Sequence, residues 1–225
     1  MRPRLLDLFC GAGGAAVGYH RAGYDVVGVD IDPQPDYPFE FHQADALEFA
    51  AVAWHRFDVA HASPPCQRDC TLTAGTNRGR QYPDLTVPTQ RLLRSLPLPH
   101  VIENPTGRTP LRRDLVLCGE MFGLAVIRHR VFEFSDRFRV GRGDFHLPHR
   151  RHRGRVAGMR HGEWFTGPYF AVYGEGGGKG TVAQWQAAMG IDWTGVRKSI
   201  AEAIPPAYTE HIGRVMLGVP GVRAA

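Results

Sequence analysis

Apolar residues in the first hundred positions fall in short runs rather than along a helical stripe. RLLDLF at 4–9, DVVGVD at 25–30, FDVAHA at 57–62 and PHVI at 99–102 have the length of strands buried on both faces. A glycine-rich turn, Cys10 to Gly14, follows the first run. AAVGYHRAG comes next and predicts a helix that stops at Gly23. Strand, turn, helix and strand in this order open an α/β fold with a doubly wound parallel sheet. Ligands in such sheets bind beyond the carboxyl ends of the strands. The segments after Phe9, Asp30, His61 and Ile102 are therefore expected to converge on one site.

The pattern changes further on. Residues 68–90 are polar and rich in turn formers, which predicts a long loop. GEGGGKG at 174–180 reads as a flexible joint. TVAQWQAAMG predicts a helix from about Thr181, and 197–217 predicts another, broken at Pro205-Pro206. No internal repeat is visible. A chain of 225 residues suits one domain with a small insertion. No apolar run reaches the roughly 18 residues of a membrane span. Asp7 interrupts any signal-peptide pattern, so a cytoplasmic protein without a membrane partner is expected.

Charge adds a direction. The formal net charge is +5, and lysine occurs only at Lys179 and Lys198, so the excess is arginine. Residues 137–160 hold eight arginines against one acid, Asp144, with His146, His149 and His152 interleaved. Arginine forks onto phosphate and base edges. The cysteines Cys10, Cys66, Cys70 and Cys118 form no CxxC pair, so no metal site is expected and free thiols are.

Four short motifs carry candidate chemistry. In DLFCGAGG at 7–14, glycines let the backbone approach a ligand, and Asp30 closes the next strand where an acid can hold ribose hydroxyls. The plain alternative is a generic glycine turn. In ASPPCQ at 62–67, two prolines present Cys66 after a strand, either as a nucleophile or as a buried thiol. In VIENP, Glu103 ends a strand and is expected to face the same crevice, as many strand-end acids do. In RHRVFEF, Arg128 and Arg130 alternate and could share one face of a strand, or line a solvated edge.

Taken in order, these segments resemble the DNA cytosine-5 methyltransferase family, especially its compact phage and prophage members. DLFCGAGG resembles the cofactor loop, PPCQ the nucleophile loop, EN the glutamate motif and RxR the arginine motif. LCGEMFGL at 117–124, AAMGIDW at 187–193 and AEAIPPAY at 201–208 are also similar to family blocks. The resemblance spans residues 4–134 and 181–216 and implies a Rossmann-like methyltransferase sheet. It implies S-adenosyl-L-methionine as cofactor, double-stranded DNA as partner, and a monomer.

The same resemblance implies roles. Cys66 attacks C6 of a cytosine flipped out of the duplex. Glu103 contacts N3 and the exocyclic amine, and Asn104 orients that loop. Arg130 holds the base O2, and Arg128 lies near Cys66. Phe9, Gly11, Gly13, Gly14, Asp30, Ile31, Asp45, Pro64 and Glu202 belong to the cofactor site. Gln67, Arg150, Arg151, Arg153 and Arg155 belong to the DNA contact. The expected layout is a catalytic core at 1–134, a very small basic target-recognition insertion at 135–180 and closing helices at 181–225. The pattern departs from the family at Val126, where Gln is usual, at Pro105, where Val is usual, and at Glu202, where Asn is usual. Two other readings fit these residues: a catalytically weak DNA-binding module of the same fold, and a cytosine-5 methyltransferase acting on RNA.

Overall fold

The computed structural model describes residues 1–65, 85–138, 158–160, 163–173 and 180–218. Its centre is a seven-stranded sheet. β1 (Arg4–Leu8), β2 (Asp25–Asp30), β3 (Glu40–Gln43), β4 (Val59–Ala62) and β5 (His100–Pro105) are joined by parallel pairings. β6 (Leu115–Leu117) and β7 (Arg130–Phe134) complete the order β3-β2-β1-β4-β5-β7-β6. β7 runs antiparallel to both its neighbours. A separate hairpin pairs β8 (Gly158–Arg160) with β9 (Glu163–Phe165).

Strand alternation explains why the runs are apolar throughout. Leu5, Val26, Val59 and Val101 face one core, while Leu6, Val27, Ala60 and Ile102 face the other. The first core is closed by α1 (Gly14–Ala22) and α6 (Pro206–Leu217), which supply Tyr19, Tyr208, Ile212 and Met216. The second is closed by α2 (Ala46–Ala53) and α3 (Thr86–Ser95), which supply Ala46, Ala50 and Leu93. Each such leucine or valine, fully buried, contributes roughly 1.5–3 kcal/mol. α1 and α6 touch closely enough that a Cβ on Gly18 would lie 2.0 Å from Thr209 Oγ1. A third, smaller core joins Val126 and Val172 to Trp185, Met189 and Ile200 on α4 (Val182–Met189) and α5 (Arg197–Glu202).

The expected doubly wound sheet, the helix ending at Gly23 and the break at Pro205-Pro206 all appear. Gly23 adopts φ 115°, a left-handed value that glycine takes readily. Thr181 caps α4 through a reciprocal bond pair with Gln184. Two expectations change. Of the loop read over 68–90, residues 68–84 lie outside the described residues, and from Thr86 onward the chain is helix α3 instead. Its buried side is largely polar (Thr86, Thr89 and Gln90), so hydrophobic periodicity missed it. Gln90 Nε2 donates to the buried Glu133 at 2.8 Å, which satisfies that face. Arg128 and Arg130 do not share a strand face, because β7 begins only at Arg130. No helix among the described residues is long and apolar enough to cross a membrane.

Candidate active site

β1 delivers the glycine turn to the carboxyl edge of the sheet. Phe9 takes φ 57°, a strained value for a bulky side chain that costs on the order of 1 kcal/mol or more. Cys10 N donates to the Val29 carbonyl at 3.2 Å, which pins the turn against β2. A Cβ added to Gly11 would meet nothing within 4 Å, so the backbone there borders open space. A Cβ on Gly14 would lie 2.4 Å from the Ile204 carbonyl oxygen, so the start of α1 is backed by the chain just after Glu202. Glu202 itself is exposed at the end of α5.

Asp30 is held by both oxygens. Gly11 N donates to Oδ2 at 2.9 Å and Asp32 N donates to Oδ1 at 3.0 Å. Ile31, the next residue, is 66% exposed, an unusual degree for isoleucine beside a crevice. Asp45 caps α2, accepting at Oδ1 from Leu47 N and Glu48 N. An open glycine cradle, a fixed acid and an exposed apolar side chain at adjacent strand ends fit a nucleoside-bearing cofactor. Asp7 lies behind the turn, fully buried. Burial, then the charge of Asp30, push its carboxyl well up, while the adjacent Tyr37 phenol lowers it without reaching full hydrogen-bond geometry.

The C-terminal segment completes this half. Trp193 Nε1 donates to the Ala12 carbonyl at 2.7 Å, and Thr194 Oγ1 donates to Asp36 at 2.5 Å. Sequence reasoning singled out AAMGIDW as a block but missed the Trp193 contact, because nothing local links positions 181 residues apart. Asp7 was also passed over as part of an apolar strand.

The second half lies at the ends of β4, β5 and β7. β4 leads into Ser63, Pro64 and Pro65, the described start of the segment that carries Cys66. Cys66, Gln67, Arg150, Arg151, Arg153 and Arg155 lie outside the described residues, as do His146, His149 and His152. Ser63 N donates to the Leu8 carbonyl at 3.1 Å, so this segment starts beside the glycine turn. Asn104 Nδ2 reaches the Pro64 carbonyl at 3.4 Å and the Glu103 carbonyl at 2.8 Å. Pro64 is buried and contributes that carbonyl.

Glu103 and Arg130 form a buried ion pair, Oε1 to Nε 2.7 Å. Glu103 pairs with Phe132 and Pro105 with Arg130, so the two charges are diagonal neighbours on one face. Burial raises the Glu103 carboxyl above its usual range; Arg130, Arg128 and a hydrogen bond from Ser63 pull it back. Arg128 donates to the carbonyls of Val172 at 3.0 Å, Ala201 at 2.5 Å and Ala203 at 3.2 Å. It therefore clamps the C-terminal helices as well as adding positive potential near Glu103. Cys10 and Cys118 are buried free thiols whose titration is pushed up by burial, which disfavours thiolate at either. Among the described residues no cluster of His, Cys, Asp or Glu is arranged to hold a metal ion.

No protein-family model matches the sequence. The type II methyltransferase M.AquIA of Picosynechococcus sp. is 28% identical over 200 residues, covering 75% of this chain and 76% of that protein. A prophage-encoded E. coli protein described as a DNA modification methyltransferase superposes with TM-score 0.61 at 15% identity, covering 96% of this chain and 99% of that one. The Spodoptera frugiperda DNMT2 structure gives TM-score 0.64 at 12% identity, with 96% and 99% covered. The S. pombe Dnmt2 methyltransferase gives 0.61 at 13%, with 96% and 98% covered. The chain has the Rossmann-like fold of these methyltransferases.

Proposed function

We propose that this chain is a DNA cytosine-5 methyltransferase with Cys66 as its nucleophile. The observation that carries the reading is the buried Glu103–Arg130 pair, at strand ends beside the segment that leads to Cys66. A carboxylate and a guanidinium fixed side by side match the N3–amine edge and the O2 of a cytosine. The relative that is a type II methyltransferase and the prophage-encoded structural neighbour favour DNA as the acceptor.

When bound, S-adenosylmethionine supplies an electrophilic methyl group. Asp30 holds its ribose, Ile31 covers the adenine, Asp45 meets the adenine edge, and Phe9 with Gly11, Gly13 and Gly14 shapes the cradle. The Cys66 sulfur adds to C6 of the cytosine, which makes C5 nucleophilic. Glu103 stabilises the proton on N3 as charge develops there, and Arg130 holds O2. C5 would take the methyl group, with S-adenosylhomocysteine as the leaving group. A base, water at its simplest, then takes the C5 proton, the C5–C6 double bond reforms and the C6–sulfur bond breaks to return Cys66 as thiolate. Asn104 ties the end of β5, which carries Glu103, to the Pro64 carbonyl of the nucleophile segment, and Arg128 adds positive potential that favours thiolate. Residues 135–180 form the target-recognition insertion. Within it Arg150, Arg151, Arg153 and Arg155, with Gln67 from the nucleophile loop, contact the duplex. The protein acts as a monomer.

The test is transfer of labelled methyl from S-adenosylmethionine to duplex DNA and to tRNA, by the wild type and by Cys66→Ser. The expected result is transfer to DNA, a covalent complex with DNA containing 5-fluorocytosine, and loss of both in Cys66→Ser. Transfer to tRNA alone would move the reading to RNA. Salt-sensitive DNA binding without any transfer would leave a binding module of the same fold.

A further inference from the structure

A buried line of hydrogen-bonding side chains runs from α1 to Glu103, and the chemistry above does not use its first three members. The Tyr19 hydroxyl lies 3.0 Å from His61 Nδ1, and His61 Nε2 lies 2.8 Å from Ser63 Oγ. Continuing the parallel register of His61 on Val101 and Ala62 on Ile102 sets Ser63 opposite Glu103, where its hydroxyl helps to hold the Glu103 carboxyl down. Strand alternation sets this up. His61 and Ser63 follow Val59 on the face of β4 that carries Val101 and Glu103 in β5, and α1 covers that face. Tyr19 and His61 are fully buried.

Only one direction of donation satisfies every member. Burial pushes His61 down to about 3, so the ring is neutral with one N–H and one lone pair. Burial and nearby acids push the Tyr19 phenol up, so it keeps its proton. A carboxylate only accepts, so Ser63 donates to Glu103. Ser63 Oγ is then free to accept from His61 Nε2–H, and His61 Nδ1 accepts from the Tyr19 hydroxyl. With the other tautomer Nε2 would need the Ser63 proton, which is directed at Glu103, so a lone pair would face the serine oxygen.

We infer that Tyr19, His61 and Ser63 are positioning residues for Glu103: an aligned relay that fixes the orientation of its carboxylate and ties it to the helix leaving the glycine turn. The inference rests on the methyltransferase reading. Arg130 Nε meets Glu103 Oε1 at 2.7 Å outside full hydrogen-bond geometry, so the ion pair by itself constrains the carboxyl plane weakly. The serine hydroxyl opposite it adds a second constraint, and the histidine and tyrosine hold the hydroxyl rotor in place. The relay also places a side chain of α1 in direct line with the catalytic acid.

The experiment compares the full chain with Ser63→Ala, Ser63→Thr and Tyr19→Phe in steady-state methylation across pH, with cofactor binding and melting temperature as fold controls. Removing a hydrogen bond to a charged group predicts a roughly 10- to 100-fold fall in kcat for Ser63→Ala. The acid limb of its pH profile is expected at higher pH, because the lost hydroxyl stabilised ionised Glu103. Ser63→Thr restores the wild-type profile, and Tyr19→Phe shifts it the same way by less. A folded Ser63→Ala with unchanged kcat and pH profile overturns the relay. So does a Ser63→Ala whose activity falls only in step with its melting temperature, its profile unmoved. A wild type that neither methylates nor traps cytosine sinks the parent reading instead, so the two failures are distinct.

Discussion

The indole of Trp193 donates to the Ala12 carbonyl at 2.7 Å, which ties the C-terminal segment to the glycine turn. Trp193→Phe keeps an aromatic ring and removes the donor. A hydrogen bond of this kind is worth about 0.5–1.5 kcal/mol, so the Kd for S-adenosylhomocysteine rises about two- to tenfold. Calorimetric titration reads the change, and an unaltered Kd would mean the turn keeps its shape without this contact.

Asp30 accepts from two backbone amides, Gly11 N and Asp32 N. Asp30→Ala removes both anchors and the acid proposed to hold the ribose, so cofactor affinity falls by roughly tenfold or more. Asp30→Asn keeps one acceptor oxygen and is expected between the two. Equal affinities for all three proteins in the same titration would remove Asp30 from the cofactor site.

Arg130 neutralises a carboxylate that has almost no contact with solvent. Arg130→Met leaves Glu103 buried without its partner, at a cost of roughly 3–5 kcal/mol. Adding Glu103→Gln removes the stranded charge and recovers part of that loss. Urea denaturation of the wild type, both single variants and the double variant measures the coupling. Additive losses would show that the pair is not coupled.

His61 makes stability depend on pH. Its folded value is lowered from 6.5 to about 3 by burial, so the folded chain prefers the neutral ring. The unfolded chain binds the proton as pH falls below 6.5, so this stability is present above 6.5 and lost as pH falls toward 3. From this group alone, stability at pH 5 is about 2 kcal/mol lower than at pH 7.5. Raised carboxyls such as Asp7 act in the opposite sense, so the comparison is with His61→Gln. Denaturant midpoints at the two pH values are expected to fall further in the wild type than in the variant, and equal falls would contradict it.

The strand runs, the stop at Gly23 and the proline break before α6 were legible in the sequence, because each follows from local chemistry. A run apolar on both faces belongs inside a parallel sheet. A left-handed helix end takes glycine, and a proline lacks the amide that continues a helix. The carboxyl-edge positions of Gly11, Asp30 and Glu103 followed from the same pattern, since Asp30 ends β2, Gly11 lies in the turn just past β1 and Glu103 lies in the last half of β5. Side-chain partnerships between distant segments were not legible. Arg128 looked like half of an alternating pair, yet its guanidinium reaches carbonyls of residues 172, 201 and 203. α3 looked like loop because the partner of its polar face, Glu133, lies 43 residues beyond Gln90. Tyr19, His61 and Ser63 read as a helix residue, a strand residue and a turn residue. Only the register of β4 on β5, and α1 packed across both, brings them into one line to Glu103. Sequence determines what each segment prefers through forces acting over a few residues. Tertiary structure decides which buried polar groups meet, because each must find a partner and that partner is supplied by packing rather than by the neighbouring chain.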